Sequence, residues 1–237
     1  MKKEKKKSNR KAWFRGLKGF LKIFIRKPKF IYLGEKTEEQ SIILSNHVGA
    51  MAPLKWELYF ENNFRFWGTY EMNSGLKEVY KYLSTIYFHQ KKHMPKFIAK
   101  VVAVIAAPLL RMFYRGLNLI PTYTDYRLRQ TMRVSDETLN KNETIIIFPE
   151  DSHDGYHDEL TKCFPGFALL ASIQLKKDRD LPIYLAYYRK KDKAFVIDKP
   201  VMYSTLEKTC ADKYHMADYI CERLNTLRNI DISELKK

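Results

Sequence analysis

Four apolar residues in a row, Ile145, Ile146, Ile147 and Phe148, are followed at once by Pro149-Glu150-Asp151-Ser152-His153-Asp154-Gly155. A run so short, so apolar and so rich in β-branched side chains reads as a strand buried on both faces. Pro149 stops the strand, and the polar run after it reads as a loop. Open α/β sheets place their ligand sites beyond the carboxyl ends of their strands, and Glu150 is delivered to such an end. Taken alone, Pro-Glu-Asp after a strand is also what an ordinary surface turn looks like.

A second stretch has the same form. Residues 41–44 are a short apolar strand running into Ser45-Asn46-His47-Val48-Gly49-Ala50, so His47 also leaves a strand end. The two ends can meet in one cleft. Around them, strands are predicted over 64–67, 181–186 and 195–198. Helices are predicted over 55–60 (opening with Pro53), 76–88, 98–112, 127–139, 164–175 and 215–227. Strands alternating with helices predict an α/β fold, a mixed and largely parallel sheet flanked by helices with an N-terminal amphipathic basic helix in front. At 237 residues and 45% hydrophobic, residues 30–237 can bury one core as a single domain. The three cysteines, Cys163, Cys210 and Cys221, have no metal-ligand spacing; with no cleavable signal peptide recognisable, a reducing cytosolic setting is expected.

The net charge of +16 is unevenly placed. Residues 1–29 hold thirteen Lys or Arg against Glu4 alone, and the remainder is nearly neutral. Within this segment Trp13, Leu17, Phe20, Leu21 and Phe24 recur at helical spacing, while Arg15, Lys18, Lys22 and Arg26 centre on the opposite side. That is the pattern of a helix lying in a membrane interface. A tail that tracks nucleic-acid phosphates needs no wide apolar face, so an anionic membrane surface is the expected partner and no nucleic acid is expected. Residues 98–112 are the most apolar segment. Lys100 and Arg111 leave too short an uninterrupted run to span about 30 Å of hydrocarbon, which predicts a core or partly interfacial helix.

The strand ends at His47 and Glu150 together resemble two blocks of the glycerolipid acyltransferase superfamily, the lysophosphatidic acid acyltransferase-like enzymes. That family shows Asn-His, then four residues and Asp, and further on Phe-Pro-Glu-Gly-Thr-Arg. Here Asn46-His47 and Phe148-Pro149-Glu150 match, while Asp151, Ser152 and His153 stand in place of Gly, Thr and Arg. Gly116 to Thr122 resembles a further block, a glycine leading into a strand that ends in a phosphate-binding Arg, with Thr122 at the Arg position and Arg127 and Arg129 shortly after. Leu181-Pro182 resembles the opening of the fourth block. The likeness runs from about residue 41 to 186.

The resemblance implies O-acyl transfer from an acyl thioester, carried on coenzyme A or acyl carrier protein, to a hydroxyl of a lysophospholipid or related alcohol, at the cytoplasmic face of the cell membrane. A hydroxyl must lose its proton as it attacks, so a base of near-neutral pKa is needed, and His47 is the candidate. Glu150 matches the family glutamate on the acceptor side. The turns at Val48-Gly49-Ala50 and Asp151-Ser152 are candidates to hold the oxyanion. No metal or cofactor is required. The family orients its histidine with an aspartate at the position of Ala52, which has no carboxylate. Glu57, Glu71, Asp151 and Asp154 are the candidate replacements, with Asp151 and Asp154 preferred. With Thr122 and His153 standing where arginines would be, a doubly charged acceptor is held less securely. The alternative is a non-catalytic lipid-binding protein that retains the fold.

Overall fold

A computed structural model of the chain describes residues 8–232; the basic run of residues 2–7, part of the expected basic segment, lies outside them. In chain order the elements are α1 (Ala12–Phe24), β1 (Lys29–Tyr32), β2 (Ile42–Ser45), α2 (Met51–Tyr59), β3 (Phe64–Thr69), α3 (Leu76–Lys81), α4 (Lys96–Leu117), β4 (Ile120–Thr122), α5 (Leu128–Leu139), β5 (Thr144–Ile147), α6 (Gly166–Leu175), β6 (Pro182–Arg189), β7 (Ala194–Ile197), β8 (Val201–Met202), α7 (Tyr203–Thr209) and α8 (Lys213–Asn229). The eight strands form one sheet in the order β1-β7-β6-β2-β5-β3-β4, with β8 on β6. From β6 across to β4 neighbouring strands are parallel, whereas β7 and β8 run against β6. The expected mixed, largely parallel α/β sheet is what the chain forms.

β2 and β5 lie side by side at its centre, every residue of both buried. Alternation sends their side chains to two cores. Ile42, Leu44, Ile145 and Ile147 meet Met132 and Leu139 of α5, Phe167 and Leu170 of α6, and Leu224 of α8. Ile43 and Ile146 meet Phe14 of α1 and Trp56 of α2 on the opposite face. The chain leaves β2 through α2 toward β3, and leaves β5 through α6 toward β6, so the two connections depart in opposite directions onto opposite faces. The ends of β2 and β5 are therefore a topological switch point, where open α/β sheets bind their ligands.

The N-terminal segment belongs to the same core. Phe14 is fully buried, and it takes the space beside Gly116, where any Cβ would overlap its ring. Glu57 of α2, fully buried, receives Arg10 through Nε at 3.0 Å and Nη2 at 2.7 Å, and Lys18 at 2.8 Å. Two cations on one buried carboxylate tie α1 to α2 and leave no open carboxylate there.

Several elements depart from expectation. α4 is 22 residues long and mostly uncovered, although a core helix was one reading of its apolar sequence. Its Ala99, Ala103 and Ala107 stripe is sealed, the latter two against Val79, Tyr82 and Leu83, and its last turn buries Gly116 and Leu117. Gly116 was expected to lead a strand but lies inside α4, and the strand is confined to Ile120–Thr122. α3 continues without a break into a π-helix, Tyr82–Lys91, whose wider turn no 3.6-residue periodicity announces. β1, β8 and α7 escaped the pattern because they are short and lie at the sheet margin.

Removing one partner of a buried ion pair leaves charge stranded. Glu57→Gln should therefore lower stability by about 3–5 kcal/mol, read as a fall in the urea midpoint at constant m-value.

Candidate functional site

His47 follows β2 by two residues, and Glu150 follows β5 by three. Continuing the register that pairs Leu44 with Ile147 brings His47 level with Glu150. Asn46 fixes the first of these ends. Its Nδ2 donates to the Tyr188 carbonyl at 3.2 Å and its Oδ1 accepts from the Tyr188 N–H at 2.6 Å, clamping the exit of β2 to β6. Immediately after His47 the backbone turns left-handed at both Val48 (φ 47°) and Gly49 (φ 64°). Gly49 takes this conformation freely, but the β-branched Val48 is strained there by about 1–3 kcal/mol. The reversal swings the chain into α2, which starts from Ala50 with no side-chain cap. The first N–H groups of α2 are thus left without a capping oxygen beside His47.

The second end is held by a clasp. The Asp151 N–H donates to the Lys162 carbonyl at 2.8 Å, the Phe164 N–H donates to the Pro149 carbonyl at 2.7 Å, and Glu150 bridges Cys163 between them. Residues 152–161 form the excursion this clasp closes. Leu160 anchors it to α8, donating its N–H to Asn225 and accepting from the Asn225 amide. From the excursion Tyr156 reaches back and stacks on His47 at 4.7 Å between ring centroids, while Phe148 meets the imidazole edgewise at 4.7 Å. Lys91, at the end of the π-helix, donates to Ser152 Oγ at 2.6 Å, and both Lys91 and Lys92 lie over the Tyr156 ring.

This packing closes the site. Beside Glu150 and Asp151 there is a cavity of only about 10 Å³, the space of one water at most. His47 Nδ1 and both carboxylate oxygens of Glu150 are buried and make no well-formed hydrogen bond, only weak approaches to the Gly49 and His47 backbone respectively. Burial holds the His47 imidazole down at about 3, against a weaker upward pull from the Gly49 backbone and with the Lys91 and Lys92 ammoniums adding small pushes downward. Burial likewise raises the Glu150 carboxyl to about 7, against the weaker opposing pulls of the His47 backbone amide and of Lys91. Lys91, itself largely desolvated, is pushed down by burial and drawn back up by Glu150 and Asp151. The closed site thus holds a neutral imidazole and a carboxyl close to neutrality.

Of the carboxylates expected to replace the one absent at Ala52, none is brought to His47 Nδ1. The clasp turns Asp151 away, and its carboxylate accepts the His153 N–H at 3.1 Å. Asp154 stands exposed in the following turn. Glu57 is bound by Arg10 and Lys18, and Glu71 accepts from Thr69 Oγ1. Ala52 itself is fully buried.

The expected binding residues divide. Ser152 and His153 stay near the site, with His153 held by the Gln90 amide at 2.9 Å. Gly116 is taken up by packing on Phe14, and Thr122 Oγ1 donates to the Gly68 carbonyl at 3.0 Å. Arg127 pairs with Asp125 at 2.7 Å and lies over the Tyr70 and Tyr123 rings at the outer ends of β3 and β4. Lys91, Lys92 and Tyr156 were not singled out for the site. They come from a segment far from both blocks in sequence and from the middle of a loop, and neither carries a motif. On α1, Trp13, Phe20 and Phe24 are exposed, as are Arg15 and Lys22, whereas Lys18 is engaged by Glu57; Arg26, also exposed, lies beyond the end of the helix. Among the described residues no three His, Cys, Asp or Glu side chains gather into a metal site.

Two titrations follow. Glu150 keeps its proton in the folded chain up to about 7, whereas the unfolded side chain loses it near 4.5. Its contribution to stability is complete below 4.5 and is lost as pH rises through 7. His47 acts oppositely: stability falls as pH drops from 6.5 toward about 3, because only the unfolded chain takes up the proton. Glu150→Gln should therefore gain about 3 kcal/mol relative to wild type between pH 4.5 and pH 8, measured by urea unfolding at both. Tyr156→Ala should uncover His47 and move its imidazole titration, followed by NMR, from about 3 back toward 6.5. In comparisons with known proteins, no family model and no curated protein matched the chain.

Proposed function

We propose that this chain is a membrane-associated O-acyltransferase resembling the glycerolipid acyltransferases, moving a fatty acyl group from a thioester to a hydroxyl of a lysophospholipid or related alcohol. The observation that carries the reading is the convergence of His47, half-buried, and Glu150, buried, at the switch point of a parallel sheet, both with buried polar atoms that make no well-formed hydrogen bond. Natural chains bury polar groups without partners at a cost of about 1–3 kcal/mol each, so groups left this way are held ready for something that enters.

The chemistry assigns each group a step. The acceptor hydroxyl attacks the thioester carbonyl carbon as His47 takes the hydroxyl proton. The resulting oxyanion is held by N–H groups at the uncapped start of α2, which lie on the far side of the left-handed Val48-Gly49 turn. The intermediate then collapses, the carbon–sulfur bond breaks, and the imidazolium returns its proton to the departing thiolate. Glu150 faces the acceptor. Lys91 and Lys92 provide the positive charge that Thr122 and His153 do not, which suits an acceptor or donor bearing phosphate. The excursion 152–161 has to lift Tyr156 off His47 before a substrate enters, since the cavity beside Glu150 holds about 10 Å³. Lifting it also relieves the burial that holds the imidazole near 3, and a base must approach neutrality to work at pH 7.

One observation favours a second reading, a lipid-binding protein without turnover: no carboxylate reaches His47 Nδ1. A single assay separates the two. Wild type and His47→Ala are offered coenzyme A and carrier-protein thioesters with lysophospholipid and neutral alcohol acceptors on anionic vesicles. The enzyme reading expects wild-type turnover and a loss of about 10²–10⁴-fold in His47→Ala. Vesicle binding by both proteins with no turnover from any pair leaves the lipid-binding reading standing.

A further inference from the structure

α4 carries large apolar side chains on the outside of the protein. Phe97 is 78% exposed, Ile105 68%, Val104 63% and Leu109 61%, with Ile98, Val101 and Met112 about half exposed. These positions follow the helix repeat and form one stripe along the face opposite Ala99, Ala103 and Ala107. A continuous stripe of this kind is unlike the scattered single exposures ordinary on soluble surfaces. At its C-terminal end α4 meets α1, where Phe14 packs on Phe113 and Gly116. Trp13, Phe20, Ile23 and Phe24 continue the exposed apolar surface along α1.

Between the two helices lies a cavity of about 400 Å³, lined by Lys11, Trp13, Leu76, Pro108, Arg111, Met112 and Arg115. Three of these residues are cations and none is an acid. Arg111, whose Nε has no hydrogen-bond partner, lines the cavity beside Lys11 and Arg115, and three cations with no acid among them suit the oxygens of a phosphate. We infer that the outer faces of α4 and α1 form one membrane-docking surface lying in the plane of an anionic leaflet, and that the cavity between them seats the phosphate of an anionic phospholipid.

The charge pattern decides the occupant. Lys96 and Lys100 accompany the N-terminal half of the stripe and Lys11, Arg111 and Arg115 its other end. A second copy of this chain, net charge +16, would bring like charges together at that collar, whereas an anionic leaflet supplies the opposite sign and a fluid apolar layer beneath it. The helix lies on the bilayer and does not cross it, because Ala103 and Ala107 on its inner face are already sealed by Val79, Tyr82 and Leu83. The inference rests on the membrane association proposed above and not on the acyl-transfer chemistry.

The test is co-sedimentation of the full chain with vesicles of phosphatidylcholine alone and of an equimolar mixture with phosphatidylglycerol. Wild type, Val104→Asp/Ile105→Asp and Arg111→Gln/Arg115→Gln are compared, each checked by circular dichroism. Positions 104 and 105 face solvent, so the first variant folds. Wild type is expected to sediment with the mixed vesicles, the α4 variant to lose at least tenfold in partition, and the arginine variant roughly twenty-five-fold, from a fivefold loss for each cation. Four outcomes overturn the inference: wild type stays in solution, the α4 variant binds like wild type, the arginine variant binds like wild type, or inorganic phosphate displaces the protein by filling the cavity as a free ligand. So does size-exclusion chromatography showing a wild-type oligomer that Val104→Asp/Ile105→Asp dissociates. Turnover on short-chain soluble acceptors separates the two proposals. Vesicle binding without turnover overturns only the chemistry, and turnover without vesicle binding overturns only the docking surface.

Discussion

The structure depends on two neighbouring strands that are buried on both faces and apolar but for Ser45 and Thr144. β2 and β5 bury every residue, so each can end only where a polar group must be accommodated. Because the pair is parallel, both ends fall on the same edge of the sheet, and because their connections diverge to opposite faces, the space between them is not filled by a crossing helix. His47 and Glu150 occupy that space. The Asn46 clamp on Tyr188 and the clasp between residues 149–151 and 162–164 hold them there. Loss of either would free a strand end and, with it, the relative placement of imidazole and carboxyl.

Burial sets the electrostatics of this site more than any charged neighbour does. A histidine held at about 3 and a glutamate raised to about 7 are both pushed toward their neutral forms, the usual consequence of removing water from a titratable group that no counter-ion replaces. Tyr156 supplies much of the enclosure, through its stack on the imidazole. The excursion that carries it is anchored at Leu160 and tethered by Lys91 to Ser152, so opening has to break a small number of identifiable contacts. Strain at Val48 adds a second store of free energy at the same point, beside the uncapped start of α2.

The excess positive charge is also divided by the fold. Arg10 and Lys18 turn inward onto Glu57, where they bind α1 to α2. Lys91 and Lys92 are brought over the closed site by the π-helix, and Lys11, Arg111 and Arg115 gather at the junction of α1 and α4. A single figure for net charge conceals three different placements, one inside the core, one over the closed site and one at the junction of α1 and α4.

The sequence by itself determined the fold class and the two strand ends that matter. Unbroken runs such as Ile145 to Ile147 leave no amphipathic alternative, and a proline followed by an acid marks a strand terminus wherever the chain goes next. Runs of helix-length apolar and mixed sequence located α5, α6 and α8 to within a few residues, α6 by being apolar nearly all round. Tertiary structure alone decided the rest. Whether the apolar α4 was covered depended on how many neighbours could reach it, and they reached its alanine stripe and its last turn. Gly116 looked like the lead into a strand, but its lack of a side chain serves Phe14, a residue a hundred positions earlier in the chain. Asp151 and Asp154 were in the right loop for an orienting carboxylate, yet backbone pairing with Lys162 faces the first away and the turn leaves the second in water. Tyr156 and Lys91 belong to the site only because a loop and a π-helix fold over it. Local pattern reports what each segment buries, whereas the identity of the partner is a long-range contact, and no single stretch of sequence contains it.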